Sequence, residues 1–176
     1  MTGWRMWVPL VLFAAFLGLA ATMLGRPKDE FVESRMVGKP LPYFALRPAV
    51  EDRPGLSSAA FRTGQPRLLN VFASWCLPCI AEARQLEVLA ARGAVIDGIA
   101  IRDRPEDVAA FLSRHGNPYS GIGADDLSEV QLALGSSGVP ETFVIDGQGR
   151  IAYQHIGDIR PEHVPMLLQK LAEAAS

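Results

Sequence analysis

NVFASWCLPCIAEA, residues 70–83, contains both cysteines of a 176-residue chain, Cys76 and Cys79. The preceding positions complete RLLNVF (67–72), an almost continuously apolar run broken by Asn70. Such a run suits a central parallel strand covered on both faces. From Pro78 to about Arg92 the composition favours a helix, with Leu86, Leu89 and Ala90 on its inward side. Cys76 therefore falls where a buried strand hands over to a helix.

Three uses of the pair compete. A structural disulfide across two residues closes so short a loop that it restricts the unfolded chain little. A zinc clip needs four ligands, and His115, His155 and His163 show no metal spacing to one another. No metal and no cofactor is expected. The third use is redox chemistry, and it gives each position a task. Free N–H groups and the macrodipole at a helix N-terminus favour an anion. A thiolate at Cys76 would be stabilised there, its pKa falling below the free value of about 8.5. Pro78 fits the first turn, where its missing N–H has no helical partner. Cys79, one turn further in, would resolve a mixed disulfide formed by Cys76. Trp75 would shield one side of the pair and offer an aromatic surface. A CxxC in a βαβ setting is a redox signal of good specificity.

Working outward, LPYFAL (41–46) reads as a short strand, SSAAF (57–61) as a helical turn and AVIDGIAI (94–101) as the next strand. Val108, Phe111, Leu112 and His115 recur at helical spacing, and SEVQ (128–131) resembles a capping box opening a short helix. ETFVID (141–146) and RIAYQHI (150–156) form a hairpin around DGQG (146–149). Pro161 is expected to start a last helix bearing Val164, Leu167, Leu168 and Leu171. The charged stretches RDRPED (102–107) and ADD (124–126) are both expected to be solvated loops, with the border of a groove as the second reading for each. The order is a βαβ unit joined to ββα, an α/β fold with helices covering a mixed central sheet.

Residues 6–25 carry no charged side chain, and at 1.5 Å per residue they reach about 30 Å, the thickness of a bilayer's hydrocarbon core. Residues 1–25 are thus expected to be a membrane anchor, or a signal peptide with Gly18 and Ala20 near its cleavage site. The length of the run favours retention. Residues 26–35 read as a charged tether and 36–176 as the globular domain. With 17 basic and 19 acidic residues the net charge is −2, and no basic stripe exists for nucleic acid to follow. Two cysteines cannot scaffold a fold of this size, so it must stand on its hydrophobic core.

A second motif, GVPETF (138–143), holds Val139 and Pro140. A strand-entry proline is one reading. A cis Val139–Pro140 bond that leaves the Val139 backbone free to pair with a substrate strand is the other. Sequence leaves the isomer open.

Together these segments resemble the thioredoxin-like proteins: WCLPC resembles their active-site signature, and GVPETF their cis-proline loop. VGKPLPYFAL and the insert around 106–126 resemble the TlpA-like membrane-anchored branch. Within it, LLNVFASWCLPCIAEA, YSGIGAD, GVPETFVIDGQGRIAYQHIG and the N-terminal anchor are most similar to the cytochrome c maturation thiol:disulfide interchange proteins of the CcmG/DsbE type. The resemblance implies a thioredoxin fold and a thiol-disulfide oxidoreductase working as a dithiol reductase. It implies a single-pass protein of a bacterial inner membrane with its catalytic domain in the periplasm. Its client would be the haem-attachment cysteines of apocytochrome c, or a thiol relay protein serving them. An integral-membrane thiol carrier of the DsbD or CcdA kind would supply electrons. Alternatives are a TlpA-like reductase for another client, such as a copper-site assembly factor, and a non-catalytic metal-carrying module.

Where thioredoxins place a buried aspartate, this chain has Asn70, which cannot accept a proton at neutral pH. The resemblance leaves Glu82 and Glu141 as candidate proton acceptors. For each, an exposed surface carboxylate is the competing expectation. Arg84 replaces a helix-kinking proline, and the loop GSSGVP (135–140) lacks the bulky aromatic often found there.

Overall fold

The computed structural model describes residues 3–24 and 36–175. The chain divides into two units, Met1–Glu33 and Ser34–Ser176. In the first, α1 spans Gly3–Leu24 with Pro9 inside it. Among the described residues no helix is long and apolar enough to cross a membrane. The tether expected at 26–35 lies outside the described residues.

In the second unit, β1 (Ala45–Leu46) pairs antiparallel with β2 (Leu56–Ser57), and a 3₁₀ turn follows at Ser58–Phe61. Then come β3 (Arg67–Phe72), α2 (Leu77–Ala91), β4 (Ile96–Ile101), α3 (Pro105–His115), β5 (Tyr119–Asp125), α4 (Glu129–Ala133), β6 (Glu141–Ile145), β7 (Ile151–Ile156) and α5 (His163–Ala174). The sheet runs β5-β4-β3-β6-β7. β3, β4 and β5 are parallel, while β6 runs antiparallel to β3, and β7 antiparallel to β6. This is the mixed sheet the sequence predicts, with one strand more.

The extra strand is β5. In YSGIGAD only Tyr119 and Ile122 are large and apolar, three residues apart among small ones, so a period of two does not mark it. Its outer edge is nonetheless covered along Ile122–Ala124: Ala49 N–H donates to the Ile122 carbonyl, Ile122 N–H to that of Pro54 and Ala124 N–H to that of Arg47, each at 2.9 Å. Gly98 on β4 makes room beside it. A Cβ there would come within 2.9 Å of the Phe72 ring and 3.1 Å of Tyr119's. Without it, the two rings stack at 5.0 Å, and the Tyr119 hydroxyl reaches the middle of the sheet.

Two helix starts differ from expectation. α5 begins at His163, because Pro161 and Glu162 form a turn ahead of it. The SEVQ capping box does not form, because Ser128 adopts φ 58° and its hydroxyl has no partner. Asp125 supplies the cap instead, accepting the N–H groups of Glu129 and Gln131 at 2.9 Å each. Of the ADD segment only Asp126 is exposed, since Ala124 and Asp125 are buried.

Candidate active site

β3 is buried at five of six positions and ends at Phe72, and the chain turns through Ala73, Ser74 and Trp75 into α2. Asp103, in the loop after β4, holds this turn: its carboxylate accepts both the Ser74 N–H and the Ser74 hydroxyl, the latter at 2.7 Å. Parallel strands deliver their C-terminal loops to one end of the sheet, which is why a residue of RDRPED reaches the segment before Cys76. This part of the stretch borders the site and is only half-exposed. Trp75 Nε1 donates to the Arg102 carbonyl at 3.4 Å, leaving the indole 60 % exposed.

Cys76 is the N-cap of α2, and its sulfur accepts the Cys79 N–H at 3.2 Å. Pro78 sits in the first turn. The cysteines form a disulfide with Cα atoms 5.3 Å apart, and both are buried. Trp75, Leu77, Pro78 and Ile80 form an exposed, mostly apolar rim around them. The pair is thus covered by a thin surface, with the sulfur of Cys76 at the positive end of a fifteen-residue helix.

The buried side of α2 is Cys79, Glu82, Ala83, Leu86 and Leu89, a stripe at helical spacing. Glu82 belongs to it: the side chain is fully buried, not on the surface. Its Oε1 accepts from Asn70 Nδ2 at 2.9 Å, and its Oε2 from the Ile159 N–H at 2.9 Å. Burial pushes the Glu82 carboxyl from an ordinary 4.5 up to about 7, with a smaller push from Asp158; the two hydrogen bonds pull the other way. Asn70, which sequence reasoning set aside for want of a proton-accepting group, anchors the carboxyl. It also donates to Thr142 Oγ1 at 3.0 Å and accepts from the Tyr119 hydroxyl at 2.7 Å. Thr142 and Tyr119 carried no sequence signal for this role, because the contacts cross between distant strands.

Val139–Pro140 is cis. Glu141 opposes Val71 in the β3–β6 register, so Pro140, one step on, reaches the end of β3 that leads to Cys76. Glu141 is also buried rather than exposed. Its Oε1 accepts from the Ser137 N–H, the Ser137 hydroxyl and the Gly138 N–H, and its Oε2 from Gln154 at 2.7 Å. It clamps the loop before Pro140. His155 and His163 come together, ring centroids 4.5 Å apart, while His115 packs on Phe111. Among the described residues no group of three or more His, Cys, Asp or Glu is placed to hold a metal ion.

A CxxC disulfide capping a helix at the end of the central strand of this sheet defines a thioredoxin-like thiol-disulfide oxidoreductase. The redoxin family model matches residues 36–171. The chain is 37% identical over 177 residues to the thiol:disulfide interchange protein DsbE of Pasteurella multocida, covering 96% of this chain and 97% of that protein. It is 33% identical to HelX of Rhodobacter capsulatus, with 94% of each chain covered. Among solved structures, a thioredoxin-family thiol:disulfide interchange protein from Chlorobium tepidum superposes with a TM-score of 0.62 at 24% identity, covering 82% of this chain and 99% of that one. A DsbF homologue from Corynebacterium diphtheriae gives 0.63 at 22% identity, covering 76% and 85%. The chain belongs to the redoxin family, among its thiol:disulfide interchange proteins of the DsbE and HelX type.

Proposed function

We propose that the protein is a periplasmic dithiol reductase that keeps the haem-attachment cysteines of apocytochrome c reduced, acting on them directly or through a thiol relay protein. The single observation that carries the reading is the asymmetry of the pair. Cys76 sits at the helix N-terminus beneath the exposed rim, and Cys79 lies on the same covered face as Glu82. Similarity to DsbE and HelX along nearly the whole chain supports the assignment.

In this reading the Cys76 thiolate attacks one sulfur of the client disulfide, forming a mixed disulfide and expelling the other client sulfur as a thiolate. Cys79 gives its proton to Glu82 and attacks the Cys76 sulfur. The mixed disulfide breaks, the client leaves as a dithiol, and the Cys76–Cys79 disulfide remains. Two electrons have passed to the client, and the oxidised pair is the state described above. An integral-membrane thiol carrier restores the dithiol. Attachment to the inner membrane through residues 6–25, an uncharged run, belongs to the proposal.

Trapping tests it. Cys79→Ser cannot resolve the mixed disulfide and should accumulate a covalent complex through Cys76, which mass spectrometry identifies. The haem-binding peptide of a c-type cytochrome, or a relay protein for it, is the expected capture. If neither is captured, the cytochrome assignment is wrong.

A further inference from the structure

The Asn70 amide makes three hydrogen bonds in a fully buried setting, and its partners differ in how strongly they prefer to donate. Thr142 offers a hydroxyl, which donates or accepts with equal ease. Glu82 accepts when ionised and donates when neutral. Tyr119 differs. Its phenol is buried and keeps its proton, and a phenol, whose oxygen lone pair is shared with the ring, donates more strongly and accepts more weakly than an aliphatic hydroxyl. Among the described residues Asn70 Oδ1 is the acceptor of that proton. Turning the amide over would aim Nδ2 at Tyr119 and strand that proton. Buried donors are rarely left without partners.

We infer that Tyr119 is a positioning residue: by donating to Asn70 it locks the amide with its NH₂ group toward Glu82, and so sets how tightly the Glu82 carboxyl holds a proton. Ionised Glu82 needs the donors it has, Asn70 Nδ2 and the Ile159 N–H. Neutral Glu82 needs an acceptor for its own proton, and a flipped Asn70 would provide one. The lock withholds it and favours the carboxylate, opposing the burial that favours the acid. The other titratable groups around Glu82 are Asp158 from the β7–α5 connection and Cys79 one turn back on α2; Asn70 and Thr142, from β3 and β6, are neutral.

The inference rests on Glu82 serving as the proton acceptor of Cys79, and the test separates the two. In the oxidised protein the cysteines do not titrate, so the Glu82 carboxyl band can be followed against pH by infrared difference spectroscopy and assigned by its loss in Glu82→Gln. Tyr119→Phe keeps the ring stacked on Phe72 and frees the amide. Its midpoint should rise by about 0.5–1 pH unit. Thr142→Val removes a partner that does not choose the orientation, and its midpoint should stay at the parent value. Replacing Tyr119 by 3-fluorotyrosine, a stronger donor of the same shape, should lower the midpoint and serves if Tyr119→Phe does not fold. A Tyr119→Phe midpoint equal to the parent's, with the band still lost in Glu82→Gln, overturns the lock and leaves the role of Glu82 intact. A band that survives Glu82→Gln overturns both.

Discussion

Glu82 and Glu141 are both buried, and they lie on opposite faces of the five-stranded sheet. Asn70 and Thr142 are register partners on β3 and β6, and their side chains bond to each other on the side where Glu82 projects from α2. Successive strand residues point to opposite sides, so Glu141, next to Thr142, faces away. Only Glu82 shares a side with Cys79. Glu141 spends its carboxylate on the loop ahead of Pro140 and on Gln154, which we propose is a positioning task.

That division sets different expectations for the two. Glu141→Ala removes the acceptor of the Ser137, Gly138 and Gln154 donors, which are only partly buried, and should destabilise the domain by about 1–3 kcal/mol in urea unfolding. Glu141→Gln retains an acceptor for the loop and should cost about 1 kcal/mol. Neither should move the pH dependence of thiol exchange. A shifted profile would restore Glu141 as a proton carrier.

For Glu82 the sign follows from its raised pKa. The unfolded chain releases this proton near 4.5, the folded protein near 7, with burial the main cause. The folded state therefore holds an extra proton between those values. Its contribution is complete below about pH 4.5 and is lost as pH rises through about 7. In the oxidised parent this should remove about 2–3 kcal/mol of stability between about pH 5 and pH 8 relative to Glu82→Gln. Denaturation curves of equal slope against pH for the two proteins would refute it.

At α4 the cap is the Asp125 carboxylate. Asp125→Ala should cost about 1–2 kcal/mol, since two N–H groups lose their acceptor. Ser128→Ala deletes a buried hydroxyl without a partner and should be neutral or slightly stabilising. Equal losses in thermal or urea unfolding would return the capping role to Ser128.

Much of this was legible in the chain because the signals were local. The apolar run of β3, the helix at Cys76, the spacing of Val108 to His115 and the hairpin of β6 and β7 each rest on neighbours in sequence. β5 was not legible: its glycines, Gly121 and Gly123, are set by the close approach of Leu46, Pro54 and Leu56, which a Cβ at either would meet at 3.3 Å or less. The two glutamates show the same limit. Charge predicts exposure, and what buries Glu82 is a set of donors from positions 70 and 159, which no window of sequence brings together. The cap of α4 failed for a related reason, because Asp125, already fixed at the end of a strand, outcompeted the nearer serine.

The central claim is that the two sulfurs are chemically unlike, and alkylation of the reduced protein tests it most directly. With iodoacetamide, followed residue by residue across pH, Cys76 should react first, with a midpoint well below the free-thiol value of about 8.5, while Cys79 stays slow until the domain unfolds. Two thiols that react at the same rate, each titrating like an ordinary cysteine, would contradict the account.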